Sequence, residues 1–440
     1  MISPDEYVNW LQLKCIKAVA IESNRSEKEV HAEAKAIMDN MAHSFNLPST
    51  KAVGYLVLKC LRRLLDKVMV NMEALRKIRK LSHNNPVVFM PTHRTYVDFL
   101  LISLLCYDQD LRLPAICAGA DFLTSKFVGE ALRRCGAFFI RRSFGSDRLY
   151  WTLFTEYVQS HIVHNEAPIE FFVEGQRSRT SKSLYPKFGL VQVIAEPFLR
   201  SQVYDTLVVP VTINYDRLLE SFLYGRELLG APKPKENGLR SPTAHYIYER
   251  NVKKTVATLA HEVVHVQNKQ TILTLWPLAA SAIQAELRAK GHVNHGDLIE
   301  KVAEIYYLQL YADLFEVDGE RLKLKAADVN RSTDLPEDVL QDAIPNVVLH
   351  NAVNPLAYLL SDFGFVLIVC REQTEYTHVE REFTFLRTVF EKEFVQKPNS
   401  ASEDLRVVVD VLVNAGLLER NGDELPIRDL QAASVPHETD

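Results

Sequence analysis

The chain has 440 residues, of which 47% are hydrophobic and 24% charged, with only 16 glycines. This is the composition of an ordinary globular protein, and it excludes collagen, low-complexity and intrinsically disordered chains. A chain of this length can bury a full hydrophobic core, and we expect roughly two to four structural units. Its 51 basic and 56 acidic side chains give a net charge of −5, which excludes a general nucleic-acid binder.

The charge is unevenly distributed along the chain. Lys and Arg outnumber Asp and Glu between Lys59 and Arg200, whereas acidic residues dominate from His295 to Asp440. A basic middle region can attract phosphorylated metabolites, coenzyme A or anionic lipid headgroups. It can equally be a solvated charge pattern, so the composition leaves both interpretations open.

Residues 1–80 are predicted to form an N-terminal helical region. Apolar residues recur there at helical spacing, most clearly between Val53 and Leu65. Such a helix can lie on a membrane or a lipid substrate, or it can simply present a solvated basic face. The basic residues that decorate it are Lys59, Arg62, Arg63, Lys67, Arg76, Lys77, Arg79 and Lys80.

Membrane attachment is expected to be peripheral. The first residues lack the basic and apolar segments of a signal peptide. There is no unbroken apolar run of about 18 residues, and the best candidate, Phe363–Cys370, is far too short to cross a bilayer.

Residues 81–240 are predicted to form an α/β domain. Short apolar runs that are typical of strands alternate here with helical stretches, which indicates a sheet with helices on its faces. The strand candidates are 86–90, 137–140, 169–173 and 207–213, and the helical candidates lie near 96–108, 122–134, 146–164 and 188–200.

The pattern ends at a segment rich in Gly and Pro, Gly230–Lys235, which is typical of a linker. Residues 241–440 are predicted to be a mainly helical C-terminal region with an acidic surface. The fold class is therefore α/β, with helical N- and C-terminal regions.

A His–Asp pair follows the first predicted strand. His93 lies just past the strand, and Asp98 follows five residues later in the first turn of a helix. A carboxylate at this spacing can hold one ring nitrogen protonated and leave the other free to accept a proton. The spacing alone is a weak signal, since His292 and Asp297 repeat it.

Arginines follow two further strands at the edge where open α/β sheets place their sites. They are Arg141 and Arg142 after one strand, and Arg177 and Arg179 after another, beyond Glu174 and Gly175. Arginine forks suit phosphate, so a base beside them implies transfer to or from a hydroxyl of a phosphorylated small molecule. Each arginine can instead pair with a surface carboxylate. A fourth strand carries Pro210 within its run, which suits a bend or an edge.

Together the four segments HRTYVD, GAFFIRR, FFVEGQRSR and VVPVTINYD resemble, in order and spacing, the motif blocks of the glycerolipid acyltransferases. Within these the chain resembles the glycerol-3-phosphate/dihydroxyacetone phosphate acyltransferase family, on segments such as Pro186–Leu190 and Leu228–Glu236. The resemblance is strong over about 81–237 and thin elsewhere. It implies an acyltransferase domain with a mixed sheet at 81–240.

The resemblance implies an enzyme that moves a fatty acyl group from acyl-CoA to the primary hydroxyl of dihydroxyacetone phosphate, the first step of ether lipid synthesis. His93 would be the general base and Asp98 would orient it, with acyl-CoA as co-substrate and no metal or other cofactor. The remaining implied roles are acceptor binding by Arg141, Glu174, Gly175 and Arg177, phosphate binding by Arg142 and Arg179, and a role in acyl-CoA use or site shape for Pro210.

Two departures from the family pattern motivate a non-catalytic alternative that binds lipid or a partner enzyme. Gln176 stands where a smaller residue is usual, and the strand that usually follows is missing between Gly238 and Ala244. Glycerol 3-phosphate is an alternative acceptor, because it also carries a phosphate and a primary hydroxyl. A zinc site at His261, Glu262 and His265, with Glu286 downstream, is a remote alternative to an ordinary helix surface.

The resemblance also implies a peroxisomal enzyme, peripheral on the membrane, near alkylglycerone phosphate synthase. The terminal residues Pro436–Asp440 are not a Ser-Lys-Leu-type peroxisomal address. No nucleic-acid partner is expected.

Overall fold

The structure is a computed structural model. It describes residues 16–17, 19–124, 126–141, 147–230, 250–272, 275–290, 292–294, 313–318, 321–327 and 336–428. Contacts group these residues into two compact units. The first holds the residues up to 175 together with 187–211 and 250–260, and the second holds 176–186, 212–230 and 261–428.

The unit boundaries differ from the predicted regions 1–80, 81–240 and 241–440. The N-terminal helices belong to the same unit as the sheet. The segment between Gly238 and Ala244, where we expect a family strand to be missing, lies outside the described residues.

Three capped helices open the first unit: α1 (Glu27–Met41), α2 (Leu47–Leu64) and α3 (Met72–Ser82). Each begins after a residue whose side chain accepts a hydrogen bond from the first turn, which satisfies an otherwise unpaired N–H. These residues are Ser26, Asn46 and Asn71. The predicted helical N-terminal region is confirmed over these spans.

The core of the first unit is a five-stranded sheet in the order β3-β2-β4-β1-β5. Its strands are β1 (Val87–Pro91), β2 (Ala115–Gly119), β3 (Ala137–Ile140), β4 (Ile169–Glu170) and β5 (Leu207–Val211). The helices between them are α4 (Asp98–Asp108), α5 (Lys126–Arg134), α6 (Arg148–Val163) and α7 (Phe188–Leu199). The predicted α/β class, a sheet flanked by helices, is confirmed.

Three details of the sheet differ from the prediction. All four strand pairings within it are parallel, rather than mixed. Strand β2 was not predicted, because its AICAG sequence is dominated by small residues with little strand preference. Strand β4 ends at Glu170, because the following residues leave the sheet for a turn at Gly175.

The order of the strands determines which candidate site residues lie next to one another. β1 lies between β4 and β5, so the chain segments that leave these three strands emerge side by side at the carboxyl edge of the sheet. The Thr92 N–H donates to the Val211 carbonyl at 2.9 Å, which extends the pairing past β1. β5 is an edge strand of the described sheet, as the proline at position 210 predicts.

The second unit is mainly helical, as predicted for the C-terminal region. Helix α11 (Glu337–Cys370) runs through it, packed against α8 (Ser221–Leu228) and α10 (Leu275–Lys290) at one end and α12 (Tyr376–Val389) and α13 (Ala401–Asn414) at the other. A helix that joins the two units in sequence, α9 (Arg250–Lys269), contributes its last turns. A small antiparallel sheet that was not predicted orders its strands β6-β8-β7: β6 (Val293–Asn294), β7 (Phe315–Asp318) and β8 (Arg321–Leu324).

Helix α11 bears on the expectation that membrane attachment is peripheral. Its segment Val339–Cys370 is long and apolar enough to cross a bilayer by length and composition, although no unbroken apolar run is present. Buried side chains at both ends, including Ile344 and Val366, belong to two hydrophobic clusters formed by described residues of the unit. A core helix of a soluble domain passes the same test, so the length of α11 does not establish a membrane span.

A histidine pair lies where the segment after α1 meets α6, with His161 buried and His43 partly buried. The rings of His43 and His161 are 5.4 Å apart, and both contact Tyr157. His161 is 3% exposed and neither ring nitrogen has a hydrogen-bond partner, with Glu166 3.8 Å from Nδ1. Burial lowers the pKa of His43 to about 4 and that of His161 to about 3, so both rings are neutral when the chain is folded near neutral pH.

We predict that this pair makes the fold acid-sensitive. Below the ordinary histidine pKa of 6.5, these histidines bind protons in the unfolded chain but stay neutral in the folded chain. The free energy of unfolding therefore falls as the pH drops. At about pH 5 each histidine should lower the free energy of unfolding by roughly 2 kcal/mol relative to its value at neutral pH. Urea unfolding of His161→Phe at both pH values should show about half of this loss. The same change at exposed His31 is the control, and an unchanged loss in His161→Phe would contradict the assignment.

Candidate active site

The loop that leaves β1 is organised around the buried carboxylate of Asp98. One oxygen, Oδ2, accepts hydrogen bonds from the backbone N–H groups of Arg94 at 2.7 Å and Thr95 at 3.0 Å. The same oxygen lies 2.9 Å from Nδ1 of His93. Asp98 is 0% exposed and begins α4, where the helix N-terminus favours a negative charge. The predicted His–Asp contact is therefore present.

His93 is held from three sides. Its Nδ1 faces Asp98, its backbone N–H donates to Oε1 of Glu174 at 2.9 Å, and its ring stacks on Phe172 with the centroids 3.8 Å apart. The side chain remains 17% exposed. With the Nδ1 proton directed at Asp98, Nε2 is the nitrogen that can accept a proton. This arrangement can deprotonate a hydroxyl group that reaches the ring.

Glu174, in the loop that leaves β4, is a second fully buried carboxylate beside His93. Its two oxygens accept hydrogen bonds from Nη1 of Arg94 at 3.0 and 3.1 Å, in addition to the bond from His93. The Arg94 side chain is only 11% exposed, so the pair is largely desolvated. The resemblance implies acceptor binding by Glu174. In the structure its hydrogen bonds join the loop after β4 to the loop after β1.

Gly175 is required by the backbone at this junction. Its φ of +70° lies in the left-handed region that disfavours side chains, and a Cβ would come within 2.9 Å of Cγ of Lys187. Any larger residue here would displace the chain segment that carries Glu174.

A third buried acid, Glu170, lies in β4 beside the loop. It is fully buried, neither of its oxygens has a hydrogen-bond partner, and burial raises its pKa well above the usual value, with a further contribution from Asp98. A raised pKa favours the neutral form of Glu170, which limits its repulsion with the nearby carboxylate of Asp98.

The predicted phosphate-binding arginines fall into separate groups. Arg141 follows β3. This strand lies three positions from β1 in the sheet, which corresponds to a separation of roughly 14 Å. Its guanidinium lies over the ring of Tyr150 and donates to Asp147 at 2.8 Å, and the side chain is about half exposed. Arg142 lies outside the described residues.

Arg177 and Arg179 belong to the second unit, where carboxylates of α8 and the residue before it already contact them. Arg177 donates to the hydroxyl of Tyr224 at 3.0 Å and has Glu220 at 4.0 Å, while Arg179 pairs with Glu227. A phosphate at these guanidiniums would therefore share or replace existing partners. Gln176, the departure from the family pattern, is exposed.

Pro210 lies in β5, opposite Met90 in the register with β1. A proline cannot donate a backbone hydrogen bond, so it limits pairing at this position next to the His93 loop. Pro210 therefore lies beside the site, and its described contacts do not define its role.

The residues of the predicted zinc pattern do not form a set of metal ligands. His261 contacts the hydroxyl of Tyr185 and His265 contacts that of Tyr358, each through one ring nitrogen. Among the described residues no group of three His, Cys, Asp or Glu side chains could hold a metal ion.

Sequence reasoning missed four contributors to the site: Arg94, Phe172, Glu170 and Lys187. Arg94 and Phe172 lie within segments that the motif reading singled out, but their partners are distant in sequence. Glu170 could have been noticed, because an acidic residue inside the apolar run Ile169–Val173 is unusual.

Two family models match the chain in succession. The first, Acyltransferase, covers residues 70–214, which contain the whole sheet and its carboxyl-edge loops. The second, the glycerol-3-phosphate acyltransferase C-terminal region, covers residues 238–438. Both models match this chain to the glycerol-3-phosphate/dihydroxyacetone phosphate acyltransferase family. The resemblance carried by the four motif segments is confirmed.

Curated relatives of this acyltransferase family match half of the chain. Dihydroxyacetone phosphate acyltransferases of Bos taurus and Homo sapiens are each 46% identical over 222 residues, which is 50% of this chain and 33% of the relative. A glycerol-3-phosphate acyltransferase of Pasteurella multocida is 38% identical over 228 residues, 51% of this chain and 27% of the relative. The matched part of the chain spans about a third or less of the length of these relatives.

We predict that Glu174 acts in this acyltransferase domain by positioning His93 rather than by binding the acceptor. Glu174→Gln should lower kcat for acyl transfer roughly 10–100-fold, because a small displacement of the base is costly, and should change the acceptor KM little. Arg94→Gln should have a similar effect. The double variant should be no worse than either single variant, because both changes disrupt the same pair. A raised acceptor KM with unchanged kcat in Glu174→Gln would instead make it an acceptor ligand.

Proposed function

We propose that the chain transfers a fatty acyl group from acyl-CoA to the primary hydroxyl of dihydroxyacetone phosphate, which opens ether glycerolipid (plasmalogen) synthesis. The observation that carries the proposal is the His93–Asp98 contact at the carboxyl edge of the sheet. It occurs in a chain that is 46% identical, over half its length, to proteins named dihydroxyacetone phosphate acyltransferase.

The proposed reaction proceeds by general-base catalysis. Nε2 of His93 takes the proton of the acceptor hydroxyl while the oxygen attacks the thioester carbonyl carbon of acyl-CoA. The tetrahedral intermediate collapses, the carbon–sulfur bond breaks, and the coenzyme A thiolate takes the proton from His93. The products are the acyl ester and free coenzyme A, and no covalent acyl-enzyme is formed. Asp98 stabilises the protonated ring and keeps Nδ1 as the donor.

Phosphate recognition is proposed to use the arginines at the carboxyl edge. Arg141 is half exposed, so its guanidinium can gain a phosphate while it retains Asp147. Arg177, Arg179 and, from the sequence, Arg142 are further candidates. Because Glu220 and Glu227 already contact two of these side chains, acceptor binding there would be accompanied by a change of partner.

Glycerol 3-phosphate is the second candidate acceptor. It is favoured by the bacterial relative at 38% identity and by the family model of the C-terminal region, both of which carry its name. The two acceptors share the phosphate and the primary hydroxyl and differ only at the middle carbon, so the same base would serve both.

The cellular setting is proposed by resemblance to the dihydroxyacetone phosphate enzymes. We place the chain on the peroxisomal membrane as a peripheral protein, with alkylglycerone phosphate synthase as a possible neighbour in the pathway. The apolar helix α11 is the alternative mode of attachment, since its length would allow a span.

Acceptor-dependent thiol release tests the proposal. Purified protein with palmitoyl-CoA should release coenzyme A when dihydroxyacetone phosphate is added. His93→Ala should lower the rate roughly 10²–10⁴-fold, because the general base is lost. His261→Ala is the matched control, since this histidine contacts Tyr185 in the second unit and should leave the rate unchanged.

Three outcomes would change the account. Preference for glycerol 3-phosphate would retain the mechanism and replace the acceptor. A wild-type rate in His93→Ala would remove the assigned base. No release with either acceptor from folded protein would favour the non-catalytic alternative.

A further inference from the structure

Helix α2 and the segment after it present an apolar surface to solvent. Of the 18 residues of the helix only Leu61 is buried. Leu56, Cys60 and Leu64, spaced four residues apart, form one exposed stripe, with Leu56 61% and Leu64 52% exposed. The segment that follows the helix exposes two further apolar side chains, Val68 and Met69, which are 60% and 79% exposed.

A basic stripe runs beside the apolar one. Lys59 and Arg63 have the same four-residue spacing within the helix, Arg62 lies one position away, and Lys67 follows in the segment after the helix. All four side chains are exposed, and no ion pair to any of them occurs among the residues that the structure describes. The only acidic residue on this stretch of the chain is Asp66. We name this surface, formed by Leu56, Cys60, Leu64, Val68, Met69, Lys59, Arg62, Arg63 and Lys67, the α2 face.

The other side of α2 is fixed to the first unit. Asn46 N–H and the Thr50 hydroxyl both donate to the carbonyl of Arg134, at 2.9 and 3.0 Å, and Leu61 is buried. The helical part of the α2 face is therefore held by packing on the opposite side of the helix, and it does not need to fold on contact with a partner.

We propose that the α2 face is a docking surface for an anionic phospholipid bilayer. Apolar side chains next to exposed Lys and Arg match the boundary between acyl chains and negatively charged headgroups. The long aliphatic stems of Lys and Arg can extend to the headgroups while Leu and Met enter the apolar layer. A small soluble anion would engage the basic stripe but would leave the exposed apolar stripe uncovered.

This inference extends the expectation of peripheral attachment, and it does not depend on the proposed reaction. It assigns the attachment to a particular face of the first unit. It also accounts for the exposed basic residues near Lys59 that the charge distribution left open between a lipid surface and solvated charges.

Vesicle co-sedimentation of the full chain tests the docking surface without any substrate. The vesicles contain phosphatidylcholine with about one-third phosphatidylserine, or phosphatidylcholine alone. Lys59→Glu/Arg63→Glu should weaken binding to the anionic vesicles at least about tenfold, because attraction becomes repulsion. Leu56→Gln/Leu64→Gln should weaken it as well, by removing insertion into the apolar layer.

Matched controls lie in the second unit. Arg371→Glu/Lys392→Glu makes the same change of net charge at exposed positions, and Val407→Gln/Val411→Gln removes exposed apolar residues of comparable exposure. Both controls should bind like the unmodified chain, and raised salt should weaken the binding of the unmodified chain.

Two results would overturn the proposal. The first is binding by the α2-face variants equal to that of the controls. The second is a changed oligomeric state of these variants, measured by light scattering, with vesicle binding intact, since the face would then bind a second copy of the chain.

Discussion

Two buried carboxylates determine the geometry on which the proposed chemistry depends. Asp98 and Glu174 have no exposure to solvent, and each accepts several hydrogen bonds from the loop that follows β1. Burying a negative charge is costly unless it is paired and hydrogen-bonded, so these carboxylates hold the loop in the one arrangement that satisfies them. His93 lies between them, bound at its backbone by Glu174 and at its ring by Asp98.

The parallel sheet makes this arrangement possible. The segments that carry His93 and Glu174 are 81 residues apart in sequence, yet they leave neighbouring strands, β1 and β4, at the same edge. The left-handed turn at Gly175 then directs the chain away immediately after Glu174. Glu170, the last residue of β4 and four residues before Glu174, is buried in the interior, where desolvation raises its pKa. Because a raised pKa favours the neutral form of Glu170, its repulsion with the nearby carboxylate of Asp98 is limited.

Local sequence patterns predicted those parts of the fold that depend on local interactions. Strands rich in Val, Ile and Phe were predicted correctly. Strand β2 is built from small residues with little strand preference, and it was missed because its pairing with β3 and β4 makes it a strand. The His93–Asp98 contact was predictable because it closes within a single loop. The bonds of Glu174 to His93 and Arg94, and the partners of Arg177 and Arg179 in α8, join distant segments and could not be read from spacing. The length of α11 was also missed, because polar residues and two prolines interrupt its apolar sequence.

The central claim is that Asp98 fixes the ring of His93 with the proton on Nδ1, so that Nε2 can act as the base. Nitrogen-15 NMR of the chain with labelled histidine tests it directly, with His93→Gln identifying the His93 signals. The account predicts a neutral ring protonated at Nδ1, with Nε2 bare, and a loss of this preference in Asp98→Asn. A neutral ring protonated at Nε2 in the unmodified chain, or an identical tautomer in Asp98→Asn, would contradict the account.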